Sequence, residues 1–419
     1  MRLQLILAAL VLCAAAGVSR ADDRAEASTS AFVEKRDGGK GGLTVIHPDA
    51  DFGVDLGRFV SLGAGYSADA VSGATSTVYQ VDAVSSATKF SDLRQEGDVS
   101  LGFHGRRSSI VFNGSFGTER DYLSHSLGAT ASVDLPGRNT TLSIAYSHSW
   151  DQVCDRDNGM ATPLESLALT GADPCDKKDG GFWGKGDVGM TVWKDLSIDT
   201  AQATLTQNLT PTMNLQLALY GQVLDGFQSN PYRRVRIGPN APQEHIPEVR
   251  DRLSVSARFN RFLPSLHSAV HVNARYYEDT WHVISGDVEL GYSQYISKTF
   301  LLTLHARLYE QTAAAFFKDA FYYQTQSTAG EYFTGDRELS PVRNALVGGK
   351  LQLISLGGDK KVWHVFDKLE LLVKADVLLL DRLPADSLAN NPMGISTQFI
   401  YGNGLFDAVI LQLGLTGNY

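Results

Sequence analysis

The chain has 419 residues and a formal charge of −9 at pH 7. Removing Arg2 and Arg20 with an N-terminal signal takes that charge from −9 to −11, and an acidic chain of this kind excludes nucleic-acid binding through a basic surface. Outside residues 1–21 no apolar run is long enough for a transmembrane helix.

Residues 1–21 read as a secretory signal peptide. Arg2 supplies the positive start, Leu3 to Val18 the apolar run, and Ser19-Arg20-Ala21 the small-x-small cleavage pattern. Cys13 lies inside the apolar run without a lipoprotein cleavage box, so the exported protein keeps Cys154 and Cys175. Residues 22–42 are charged and Gly-rich and read as a flexible leader, because they cannot bury enough apolar surface to order themselves.

From about residue 44 the pattern has period two, as half-buried strands require. The first strand is expected near 44–55, a tight turn at Leu56–Gly57, and the second strand near 58–68. Residues 69–90 then form a loop that says one thing twice. Asp69-Ala70-Val71-Ser72-Gly73-Ala74-Thr75 is followed by Asp82-Ala83-Val84-Ser85-Ser86-Ala87-Thr88, and only Gly73 and Ser86 differ between the copies. Nearly every side chain is small, so a bulky group could approach the backbone. Each copy ends in a threonine hydroxyl, which can be esterified but is a poor nucleophile unless activated.

Alternation continues to the end of the chain. Met213, Leu215, Leu217 and Leu219 oppose Asn214, Gln216 and Tyr220; Leu302, Leu304 and Leu308 oppose Thr303, His305 and Arg307. Further segments lie near 98–104, 140–150, 201–208, 253–260, 285–293 and 344–353. A soluble sandwich and a membrane barrel both fit such strands. The barrel is favoured by charged and amide residues along the polar faces and by aromatics near strand ends, such as Tyr146, Trp150, Tyr276 and Trp281. Val409, Leu411, Leu413, Leu415, Gly417 and Tyr419 share one face of a last strand. That strand resembles the C-terminal signal read by the outer-membrane barrel assembly machinery. The expected fold is an all-β antiparallel transmembrane barrel of about 16 strands over 43–419, in contact with membrane lipid.

Both copies of the 69–90 motif resemble the sequence that periplasmic FMN transferases modify, and similar stretches occur in covalent-flavin subunits of the sodium-pumping quinone reductase and of the Rnf complex. The resemblance implies FMN joined through its phosphate to Thr75 and Thr88, with Asp69, Ser72, Gly73, Asp82, Ser85 and Ser86 completing the two recognition sequences. The other reading is a small-residue loop duplicated without function. With the signal and the barrel, the motifs resemble a bacterial family catalogued as a domain of unknown function, often encoded beside FMN transferases. The implied role is extracytoplasmic electron transfer with an unknown redox partner. The protein would then be a substrate of the transferase and not itself a catalyst. The rival role is a passive porin or solute channel without a cofactor.

Other chemistry is sparse. There is no Cys-x-x-Cys-His, His-Glu-x-x-His or Gly-x-Ser-x-Gly. His267, His271 and His305 read as lumen-facing polar residues in water, and no metal site is expected. Arg233, Arg234 and Arg236 form a basic cluster in a loop, able to meet an acidic partner but by default solvated. Cys154 and Cys175 bracket a polar segment and are expected to pair as a disulfide in an oxidising compartment. With strands at 44–55 and 58–68, residues 69–92 fall at the end of the barrel that carries the chain termini, which is the periplasmic end in a barrel of even strand count.

Overall fold

The computed structural model describes residues 24–34, 43–74, 89–119, 121–155, 175, 192–230, 243–317, 330–356, 366, 368–382 and 408–418. The strands are β1 (Arg24–Glu34), β2 (Thr44–Asp55), β3 (Val60–Ala74), β4 (Lys89–His104), β5 (Ser108–Thr118), β6 (Tyr122–Asp134), β7 (Thr140–Asp155) and β8 (Val192–Thr210). They continue as β9 (Met213–Gly226), β10 (Val249–Leu263), β11 (Ser268–Asp279), β12 (Ile284–Tyr295), β13 (Phe300–Gln311), β14 (Val342–Leu356), β15 (Lys368–Arg382) and β16 (Ala408–Asn418). Each strand pairs antiparallel with its sequence neighbours, and β1 pairs with β16, so the sheet closes on itself. Closure leaves no strand edge unpaired, the condition for a sheet surrounded by lipid.

The period-two pattern sets the two faces. Outward positions carry Val99, Leu127, Ile144, Leu219, Val255, Leu290, Leu308 and Leu413, all exposed, with Ile144 and Leu308 about two-thirds accessible at 66% and 67%. These apolar side chains lack any partner in a soluble protein, but they suit the hydrocarbon band of a membrane barrel. Inward positions carry the polar rows. Asp51, Gly65 and Asp98 lie in one register across β2, β3 and β4. Arg258, Asn273, Glu289 and Arg307 lie in one register across β10 to β13.

The expectation of a flexible leader over 22–42 is corrected for 24–34, while 22–23 and 35–42 lie outside the described residues. Arg24–Glu34 is β1, bonded to Gly53–Thr44 on one side and Asn418–Ala408 on the other. Its outward row is Ala25, Ala27, Thr29, Ala31 and Val33, facing the leucines of β16 in register. Those residues are too small to show as an apolar alternation, and the inward row holds Arg24, Glu26 and Glu34. Composition therefore read as solvated chain. What orders the segment is two open strand edges, on β2 and β16, that only a sixteenth strand can satisfy.

β1 also reverses an orientation. The ends of the described chain, Arg24 and Asn418, are paired at one end of the barrel. That end also holds the connections 56–59, 105–107, 135–139, 211–212, 264–267, 296–299 and 357–367. The opposite end holds 35–43, 75–88, 119–121, 156–191, 227–248, 280–283, 312–341 and 383–407. Six of the seven connections beside the chain ends have two to five residues, whereas six of the eight opposite have nine or more. The motif segment 75–88 belongs to the long-loop end, away from the termini. The expectation that put it with the termini missed one strand, and each missed strand exchanges the ends.

Packing beyond the wall sits at the long-loop end above β10 to β14. Ile246, Trp281, Val283, Ala314, Phe317 and Leu339 form a buried apolar cluster. His245 and Phe333 bridge two connections backbone to backbone. The Thr334 hydroxyl donates to the buried Glu244 carboxylate at 2.7 Å.

Candidate functional site

The first six residues of the first copy of the motif belong to the β3–β4 ladder. Asp69, Ala70, Val71, Ser72, Gly73 and Ala74 are the last six residues of β3, in a ladder against Arg94 to Lys89 of β4. The expectation of a loop from residue 69 is corrected for Asp69 to Ala74, which are strand. Ser72 faces Ser91, Gly73 faces Phe90, and Ala74 faces Lys89 as the last described pair. Thr75, Asp82, Ser85, Ser86 and Thr88 lie outside the described residues. In sequence, Thr75 directly follows Ala74 and Thr88 directly precedes Lys89.

Asp69 is part of the wall. It points inward with its Oδ1 2.7 Å from Nδ1 of His47 on β2. In the ladder it faces Arg94, whose guanidinium donates to the Glu96 carboxylate at 2.7 Å. His47, Asp69 and Arg94 thus lie side by side across three strands. His47 and Arg94 have no place in the linear motif. The signal that finds them is the parity of the strands: both share the inward face with Asp69.

The remaining residues singled out from the sequence fall in separate places. Cys154, near the end of β7, is joined to Cys175 with their Cα atoms 5.9 Å apart. Both cysteines are fully buried and pack with Trp193 of β8. His267 is in the β10–β11 turn, in the left-handed region at φ 49°. His271 has its Nε2 3.5 Å from Glu289, and His305 has its Nε2 3.0 Å from the buried Asp376. The three histidines thus serve different neighbours, and among the described residues no group of three His, Cys, Asp or Glu could hold a metal ion. Arg233, Arg234 and Arg236 lie outside the described residues, as does Tyr419.

No curated protein matches the chain. Among solved structures it is similar to a bacterial polysaccharide outer membrane secretin, at 8% identity and TM-score 0.48, covering 96% of this chain and 100% of that one. It is also similar to OccD3 (OpdP) from Pseudomonas aeruginosa, at 7% identity and TM-score 0.40, covering 96% and 92%. A third is CdiB from Acinetobacter baumannii, at 8% identity and TM-score 0.45, covering 95% of this chain and 60% of that one. Likenesses this distant carry no functional argument, and the barrel rests on its own closed ladder. A family model described as "Protein of unknown function (DUF3570)" matches residues 3–356. The match spans most of the 419 residues and runs through β14, so the chain belongs to the DUF3570 family, with an outer-membrane-type barrel of 16 strands.

Proposed function

We propose that this protein is an outer-membrane barrel that carries FMN covalently on Thr75 and Thr88 and serves extracytoplasmic electron transfer. One observation supports this reading above the others: the two acceptor threonines flank the single ladder pair Ala74 and Lys89. Thr75 follows one member of that pair in sequence and Thr88 precedes the other, so chain connectivity ties both copies to one point of the rim. When bound, FMN supplies the redox chemistry, and the chain supplies its position and surroundings.

The bonded state of Asp69 bears on how the group is added. An enzyme that reads Asp69 as the first residue of a motif needs the segment free. In the barrel Asp69 to Ala74 are paired with β4, Ala70 to Ser72 are paired with β2 as well, and the Asp69 carboxylate is engaged by His47. Flavin transfer in the periplasm therefore precedes barrel assembly. Short turns are periplasmic in barrels of this type, and long loops are extracellular. On that rule the flavin pair ends at the cell surface, and its redox partner is met from outside.

Visible absorption and peptide mapping of residues 69–90 test the assignment. Protein from cells with active transferase should be yellow, with one FMN lost in Thr75→Ala, one in Thr88→Ala and both in the double variant. Colourless protein with an unmodified 69–90 peptide would leave the passive channel as the reading. The side is tested with a cysteine at Gln80, in a background lacking Cys154 and Cys175. A membrane-impermeant thiol reagent should label it in intact cells; labelling only after outer-membrane permeabilisation would refute the surface placement.

A further inference from the structure

The lumen separates charge across its width. On one wall Asp49, Asp51 and Asp98 point inward from β2 and β4. Gly65 of β3 lies between them, and a Cβ there would come within 2.8 Å of the Asp51 carboxylate and 2.2 Å of the Asp98 carboxylate. The absent side chain gives the two acids room on one surface. Asp51 is close enough to repel both Asp49 and Asp98.

Arg258 of β10, Arg307 of β13 and Lys350 of β14 point inward from the other wall. Of the carboxylates there, Asp287 is met by Arg275 at 2.7 Å and Asp376 by Lys374 at 2.8 Å, while Glu289 faces Arg307 in the ladder and has Nε2 of His271 at 3.5 Å. Arg258, Arg307 and Lys350 come in addition to those two pairs, and Glu289 offsets one of the three charges. In the ring of sixteen strands, β10 stands eight strands from β2, half the circumference. The two groups also share a depth. Asp49, Asp98, Arg258, Arg307 and Lys350 lie five to seven residues from the short-turn ends of their strands, at Asp55, His104, Leu263, Phe300 and Leu356.

Among the described residues the interior at this depth is not filled. Asp51, Asp98 and Arg258 face inward and are nevertheless exposed, which a packed interior would not permit. Small barrels fill their interiors with side chains, whereas porins of about 16 to 18 strands leave an aqueous channel. Opposed charges on low-dielectric walls focus a field across such a channel and sort the ions that enter it.

We infer that the lumen is a permeation path for small inorganic ions and small charged solutes, cations passing along the β2–β4 wall and anions along the β10–β14 wall. This function is separate from the flavins and does not depend on them.

The test uses the full chain purified from cells lacking the transferase, reconstituted in liposomes and planar bilayers, with the folded fraction counted by heat-modifiability. Potassium chloride is the probe. The folded protein should release salt from liposomes and conduct in steps. Asp49→Asn/Asp51→Asn/Asp98→Asn should lower the cation-to-anion permeability ratio by about twofold or more, and Arg258→Gln/Arg307→Gln/Lys350→Gln should raise it by a similar factor. Folded protein that is incorporated but neither releases salt nor conducts would overturn the inference. So would a ratio that neither set of substitutions moves. Because the protein tested is flavin-free, either result leaves the flavin reading to its own experiment.

Discussion

Nδ1 of His47 lies 2.7 Å from Oδ1 of Asp69, joining the first residue of the motif to the strand before it. The contact exists only once β2 and β3 are paired. It therefore separates two states of the same sequence: one in which Asp69 can be read by an enzyme, and one in which it is a wall residue.

The order of events follows. Chain held in the periplasm by depleting the assembly machinery should already carry FMN, measured by in-gel flavin fluorescence. Folded flavin-free barrel in detergent should accept none from purified transferase and its flavin donor. Efficient loading of the folded barrel would contradict the proposed sequence.

The first strand is a structural necessity. Deleting residues 24–34 removes the partner of both β2 and β16. Unpaired backbone groups in lipid cost several kcal/mol each, so about ten lost pairs cannot be offset by side chains. The deleted chain should fail to assemble, measured as loss of the heat-modifiable form. Removing 22–23 alone should leave assembly intact.

The disulfide acts on one loop. Cys154 and Cys175 are 21 positions apart, and closing a loop of that length is worth about 3 kcal/mol by chain entropy. Cys154→Ser/Cys175→Ser should leave the barrel heat-modifiable while making 156–174 the first site of limited proteolysis. Loss of the assembled barrel would show that the bond supports the wall as well.

The packed rim rests on a buried charge. Nε of Arg250 donates to the Asp279 carboxylate at 2.9 Å, with the guanidinium over the Trp281 ring. Tyr277 Oη also donates to Asp279 at 2.7 Å, and the backbone N–H groups of Trp281 and Val283 donate at 2.9 and 3.0 Å. Removing one partner of such a pair leaves a buried charge and costs about 3 kcal/mol, the lower end for ion pairs because the other donors remain. Arg250→Ala should speed hydrogen exchange at 281–284 and 314–317 without opening the barrel, whereas Arg250→Lys should restore part of the protection.

The sequence by itself determined the class of fold, because lipid contact repeats every second residue and writes the alternation into the chain. Rows such as Leu302, Leu304 and Leu308 against Thr303, His305 and Arg307 were legible for that reason. Pairing of the two cysteines was legible from their count and setting. The doubled motif was legible as residues but not as geometry. Three things were decided only by the tertiary structure. β1 is a strand because two distant edges need it, a demand that Ala25, Ala27 and Ala31 do not announce locally. The end of the barrel at which 75–88 emerges depends on the parity of all preceding strands, so a single one reverses it. And the facing of Asp49 by Arg258 across the lumen arises because ring closure brings β2 and β10 opposite each other, a relation between residues 209 positions apart that no local pattern encodes.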